Sequence, residues 1–156
     1  MKDIFSADEE MVFVDTSFFV EFFKGSKEAG VVYEDFLLNG LVCSSLNVLE
    51  ETTYVLVKRL GLDRSVSVWD LADDESVFGE CLDIVVDFYD SLMSDLDVSF
   101  LSMDFSWDKV LDVCRKYRLL PNDGLIATIC MSHGISKIAS FDEDFRRVDF
   151  LEIVEP

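Results

Sequence analysis

Two apolar runs in this 156-residue chain lead to an aspartate, and a third aspartate opens an apolar pattern. Met11-Val12-Phe13-Val14 runs into Asp15-Thr16-Ser17, Ile138-Ala139 leads through Ser140-Phe141 to Asp142, and Pro121-Asn122-Asp123 opens an apolar helical pattern. A carboxylate beside a buried strand is costly to desolvate, so it is usually kept where it holds a cation or does chemistry. A further acid, Glu50 or Glu51, falls on the helical pattern that follows Ser45. Apolar residues flank both glutamates, and helical spacing alone does not choose between them. Carboxylates converging from separate segments repel one another unless a divalent cation sits among them. Oxygen donors of this kind suit Mg²⁺ or Mn²⁺. Such ions activate water and stabilise charge on a phosphodiester undergoing displacement. The chemistry indicated is metal-dependent hydrolysis, which needs no side-chain base and so suits a chain with a single histidine, His133.

Each acid also has a plainer reading. Asp15 could open a turn, Asp123 could be a helix cap, and Asp142 to Asp144 could be a solvated turn. Glu50 and Glu51 could be ordinary surface residues. All of these holding together is less economical than one shared site. Phosphotransfer through Asp15 as nucleophile is a rival. A dehalogenase-like pattern needs a second acid two residues on, where Ser17 stands. A non-catalytic binding module, whose acidic cleft receives a basic partner segment, is the alternative from another class.

The elements that must position these acids read as alternating strands and helices. Val12–Val14 is expected as a first strand, followed by helices over 18–23 and 28–38. A short strand over 41–43 precedes a helix capped at Ser44-Ser45 and stopped near Gly61. Residues 64–72 and 76–93 read as a helical pair, and 98–101 as a strand. Helices over 107–117 and 123–132 follow, the second capped by Asn122 or Asp123. Strands over 137–139 and 150–154 close the chain. This alternation predicts an α/β domain with a mostly parallel sheet. Ligand sites in such sheets lie outside the carboxyl ends of the strands.

The totals set limits. One domain over residues 11–156 is expected, after a short acidic extension at residues 1–10. Half of the residues are hydrophobic and 14 are Phe, which is ample material for a core. The net charge of −19 excludes passive nucleic-acid binding, which needs a basic surface. Between Ser65 and Asp108 lie twelve acids and no Lys or Arg, a solvated face or a surface for a basic partner. Cys43, Cys81, Cys114 and Cys130 form no C-x-x-C pair and read as buried free thiols of a reducing compartment. His133 reads as a residue at a helix C-terminus. No signal peptide or 18-residue apolar segment is visible, so a soluble, cytoplasmic protein without a membrane anchor is expected.

The order of motifs resembles the PIN domain. The residues that carry the resemblance are the strand ending at Asp15-Thr16-Ser17, Ser44 to Leu56, Pro121 to Thr128, and Ser140 to Phe145. The resemblance covers the chain from about Val12 onward and implies a three-layer α/β/α sandwich. It also implies an endoribonuclease acting on single-stranded RNA with Mg²⁺ or Mn²⁺. The family's acids fall on Asp15, Glu51, Asp123 and Asp142, with Asp144 as an accessory ligand; the family register selects Glu51. Thr16 or Ser17 would bring a hydroxyl near the metal, and Asn122 would orient ligands. Many small members resemble VapC-type toxins, which form homodimers and are held inactive by a small antitoxin. Lys24, Lys58, Arg59, Arg146 and Arg147, in or near the motif segments, are the candidates for gripping RNA.

Overall fold

In the computed structural model, residues 10–156 are described. The expected N-terminal extension lies outside them except for Glu10, which pairs with Lys137 at 3.0 Å. Among the described residues the sheet has five strands: β1 (Val12–Val14), β2 (Val42–Ser44), β3 (Val98–Phe100), β4 (Lys137–Ala139) and β5 (Glu152–Ile153). Their order is β3-β2-β1-β4-β5, and every pairing is parallel. Phe13 of β1 sits between Cys43 of β2 and Ile138 of β4, and all three are fully buried. Burial on both faces explains why these strands read as unbroken apolar runs rather than alternating ones.

The helices are α1 (Thr16–Phe23), α2 (Lys27–Val32, continued by a π-helical turn over Tyr33–Leu37), α3 (Leu46–Asp63), α4 (Glu75–Asp95), α5 (Trp107–Tyr117) and α6 (Pro121–Ser132). Right-handed crossovers put α1 to α4 on one face of the sheet and α5 with α6 on the other. The packing follows that division: α3 lies against α1 and α4, and α5 against α6. The result is a three-layer α/β/α sandwich. The strand order reverses between β1 and β4, and a crevice opens at the carboxyl edge there.

Several boundaries differ from those expected. Residues 64–72 do not form a helix; they are turns leading to a 3₁₀ turn at Leu71–Asp73. Gly61 does not stop α3, which runs on to Asp63. The stop is Ser65 at φ 62°, with Val66 N donating to Gly61 O and Ser65 N to Leu62 O, both at 2.9 Å. That is a Schellman closure with serine in the place glycine usually takes. Gly61 is needed for packing instead: a Cβ there would lie 3.2 Å from both Leu71 methyl carbons. Ser45 holds the N-cap position of α3, but its hydroxyl donates to Asn47 Oδ1 rather than capping the helix.

Helix α6 starts at Pro121, not Asp123, so neither Asn122 nor Asp123 is its cap. Proline at the first helical position has φ already set for the helix. Both side chains are thereby freed from capping. Cys43, Cys81 and Cys130 are buried free thiols as expected, but Cys114 is only half-buried. His133 does end α6, and its Nε2–H donates to the Ser102 carbonyl at 2.8 Å. Among the described residues, no helix is long and apolar enough to cross a membrane.

Candidate active site and metal centre

A cleft of about 490 Å³ opens at the carboxyl edge of the sheet, and Asp15, Glu51, Asp123 and Asp142 all line it. Four separate segments deliver them. Asp15 follows β1, whose last pairing continues as Asp15 N–H to Ala139 O at 3.1 Å. Asp142 stands three residues past the end of β4 and begins the 3₁₀ turn Glu143–Arg147. Asp123 lies in the first turn of α6, and Glu51 in the second turn of α3. The cleft therefore straddles the point where the strand order reverses.

Hydroxyl and amide groups fix these carboxylates. Asp15 is 4% exposed, and its Oδ2 accepts from Ser140 Oγ at 2.8 Å and Ser17 Oγ at 3.0 Å. Glu51 Oε2 accepts from Thr16 Oγ1 at 2.9 Å and from Asn122 Nδ2. Asn122 Oδ1 in turn accepts from Asn47 Nδ2 at 3.2 Å, and Asn47 Oδ1 from Ser45. Thr16 and Ser17 thus spend their hydroxyls on the acids themselves. Asp142 Oδ1 accepts from the Asp144 N–H at 2.9 Å, which folds the last acidic segment back on itself. Glu50 faces away and lines an apolar groove with Tyr54 and Leu82. The choice that helical spacing left open is made by the packing of α3.

Electrostatics follow the crowding. The Asp123 carboxyl is pushed from an ordinary 3.8 up to about 7, first by burial and then by the charges of Asp142, Asp15, Asp144 and Glu51. Burial also raises Asp15, against the opposing pull of the Ser140 and Ser17 hydroxyls. Asp123, Asp142 and Asp144 each offer an oxygen lying within 4.8 Å of the other two. Asp15 and Glu51 share the cleft but stand outside that tightest trio. An all-oxygen, anionic donor set crowded around Asp123 fits a hard divalent cation.

The five basic candidates are not brought to the cleft; among the described residues that line it, none is Lys or Arg. Lys24 pairs with Glu21 at 2.8 Å. Lys58 and Arg59 are exposed on α3, about 10–12 Å along the helix axis from Glu51. Arg146 is held by Glu143 and Glu155. Arg147 pairs with Asp144 at 2.8 Å and donates to the Tyr117 and Arg118 carbonyls. In a chain this acidic, Lys24, Arg146 and Arg147 each find a local carboxylate. From the sequence, Ser140 and Asn47 carry no role and Ser45 only that of a helix cap. Their only signal was adjacency to the motif acids.

The fold and this cleft define an α/β/α domain with a carboxylate centre of the divalent-cation type. A family model described as the PIN domain matches residues 12–151. The chain belongs to the PIN-domain family. A protein named ribonuclease VapC2, from Methanocaldococcus jannaschii, is 32% identical over 151 residues, spanning 95% of each chain. Among solved structures, Mycobacterium tuberculosis VapC20, described as a sarcin-ricin-loop-cleaving toxin, superposes with a TM-score of 0.61. That match has 20% identity and covers 93% of this chain and 99% of the other. A toxin–antitoxin complex from Klebsiella pneumoniae superposes with a TM-score of 0.58 at 16% identity, over 93% of this chain and 97% of that one. These two structures share the fold.

Proposed function

We propose that this protein is a Mg²⁺- or Mn²⁺-dependent endoribonuclease that hydrolyses phosphodiester bonds of single-stranded RNA. On this reading it is the toxin of a VapBC-type pair, acting in the cytoplasm as a homodimer and restrained by a small antitoxin. The observation that carries the proposal is the meeting of acids from four separate segments in one cleft of a PIN domain. The name of the 32%-identical relative supports the reaction, and the shared fold of a toxin–antitoxin complex supports the partner.

Asp123, Asp142 and Asp144 would hold one cation, with Asp15 and Glu51 completing the oxygen donor set. When bound, the cation supplies activation of water and stabilisation of charge on the leaving oxygen. The protein's own groups do the positioning. Ser140 and Ser17 keep Asp15 aimed into the cleft, and Thr16 with Asn122 does the same for Glu51. Asp123 must give up its proton to serve as a donor, so affinity for the cation falls as pH drops below about 7. With acids and, among the described residues, no fixed cation lining the cleft, the free protein repels RNA, and productive binding requires the divalent ion.

The test is cleavage of single-stranded RNA by the wild type and by Asp15→Asn, each with Mg²⁺, with Mn²⁺ and with a chelator. The expected result is cleavage by the wild type only when a cation is present, and a loss of at least about 100-fold in the variant. Equal cleavage by both proteins refutes the assignment of the site.

A further inference from the structure

Among the described residues that line the cleft, Phe141 is the aromatic one, and the acid chemistry does not use it. It is 38% exposed, although it directly precedes Asp142 and belongs to a phenylalanine-rich chain that buries Phe13, Phe18, Phe19 and Phe145 completely. Its ring stacks on Phe18, with centroids 6.4 Å apart and planes within 7° of parallel. Phe18 in turn stacks on Phe22 at 5.7 Å and 17°. The backbone is tied down as well: Phe141 N–H donates to Ser17 Oγ at 2.8 Å, and Ser17 donates to Asp15. One face of the ring is therefore backed by the core while the residue remains open to solvent, held by the same hydrogen bonds that hold the first acid.

The ring also borders two depressions. On one side is the acidic cleft; on the other is a smaller groove of about 270 Å³ where Ile153, Val154 and Pro156 stand beside Glu28, Glu143 and Glu155. A strand laid across this edge with its scissile phosphate at the acids would place a neighbouring nucleotide at Phe141. Aromatic rings hold single-stranded nucleic acid by stacking on bases, with little dependence on sequence. No lysine or arginine lines the cleft among the described residues, so grip on the phosphates by fixed cations is missing. Stacking supplies a neutral grip that a strongly anionic protein can use.

We propose that Phe141 is a substrate-binding platform on which a base next to the scissile phosphate stacks as the RNA passes from the acidic cleft into the adjoining groove. This rests on the endoribonuclease reading above. The test compares the wild type with Phe141→Trp, Phe141→Leu and Phe141→Ala in steady-state cleavage of a short single-stranded RNA with Mn²⁺. Phe141→Leu keeps apolar contact with Phe18 but cannot stack, and thermal unfolding of each variant reports whether the wall is intact. The expected result is an unchanged KM for Trp and a KM raised roughly 5- to 150-fold for Leu and Ala. The kcat should stay within about threefold, because the contact holds substrate and transition state alike.

A second readout does not depend on turnover. In the Asp15→Asn background, Phe141→Trp should lose tryptophan emission on addition of RNA, beyond the change seen with Asp15→Asn alone. An unchanged KM in a folded Phe141→Leu, a fall in kcat without a rise in KM, or unchanged tryptophan emission overturns the platform while leaving the endoribonuclease reading standing. A wild type that cleaves no RNA overturns both, and that result is visible before any variant is made.

Discussion

Replacing Asp123 by Asn should stabilise the metal-free protein above neutral pH and lose that advantage progressively as pH falls from about 7 to about 4. The folded-state carboxyl sits at about 7, against an ordinary 3.8. Between those values the folded protein binds a proton that the unfolded chain does not. Stability from this group is therefore fully present below about 4 and is lost as pH rises through about 7. At 1.36 kcal/mol per pH unit the full displacement would be worth about 4 kcal/mol. Asp123 is partly open to water, so screening reduces this to about 1–2 kcal/mol. The assay is urea unfolding of the wild type and Asp123→Asn in chelator at pH 5.5 and pH 8. The other carboxylates titrate in both proteins and largely drop out of the difference. Asn should be more stable by about 1–2 kcal/mol at pH 8 and by roughly half as much at pH 5.5. Saturating Mn²⁺ at pH 8 should reverse the order, since a ligand at 100 times its Kd adds about 2.7 kcal/mol to the protein that binds it. An Asn variant less stable than the wild type at both pH values would refute the argument, because it would make Asp123 a structural hydrogen-bonding residue.

Further outcomes follow from the same geometry. Glu51→Gln should abolish cleavage while Glu50→Gln leaves kcat/KM within about threefold, because only Glu51 lines the cleft; parallel RNA-cleavage assays decide this. Ser140→Ala removes the shortest hydrogen bond to the buried Asp15, and chemical denaturation should show a loss of about 1.5–3 kcal/mol at pH 8. Gly124→Ala would bring a Cβ to 2.1 Å from Cys114 Sγ where α6 crosses α5. Overpacking of this kind should cost about 1–3 kcal/mol. Adding Cys114→Ala should recover most of that loss in the same unfolding assay; a double variant no more stable than Gly124→Ala would rule out the sulfur contact as the cause.

What the chain determined by itself was the identity of the costly residues and the alternation that carries them. Asp15 and Asp142 stand out because each follows a run that must be buried, and burying a carboxylate is expensive whatever the topology. The parallel α/β class was legible for the same reason, since Val12–Val14 and Ile138-Ala139 have no polar face to turn to water. Glu51 could not be separated from Glu50 by periodicity, because both have apolar neighbours. The packing of α3 decided it, setting Glu51 against Thr16 and Asn122 and turning Glu50 into the groove with Leu82. The start of α6 was misplaced because Pro121 breaks an apolar pattern in sequence yet begins a helix in space. The fate of the basic residues was equally hidden. Arg147 finds Asp144 within its own 3₁₀ turn, but it reaches the Tyr117 and Arg118 carbonyls only once α5 and that turn have docked. Residue types carry the local cost of burial and charge. Which groups share a cleft depends on strand order and helix rotation, and these are settled only when distant segments pack.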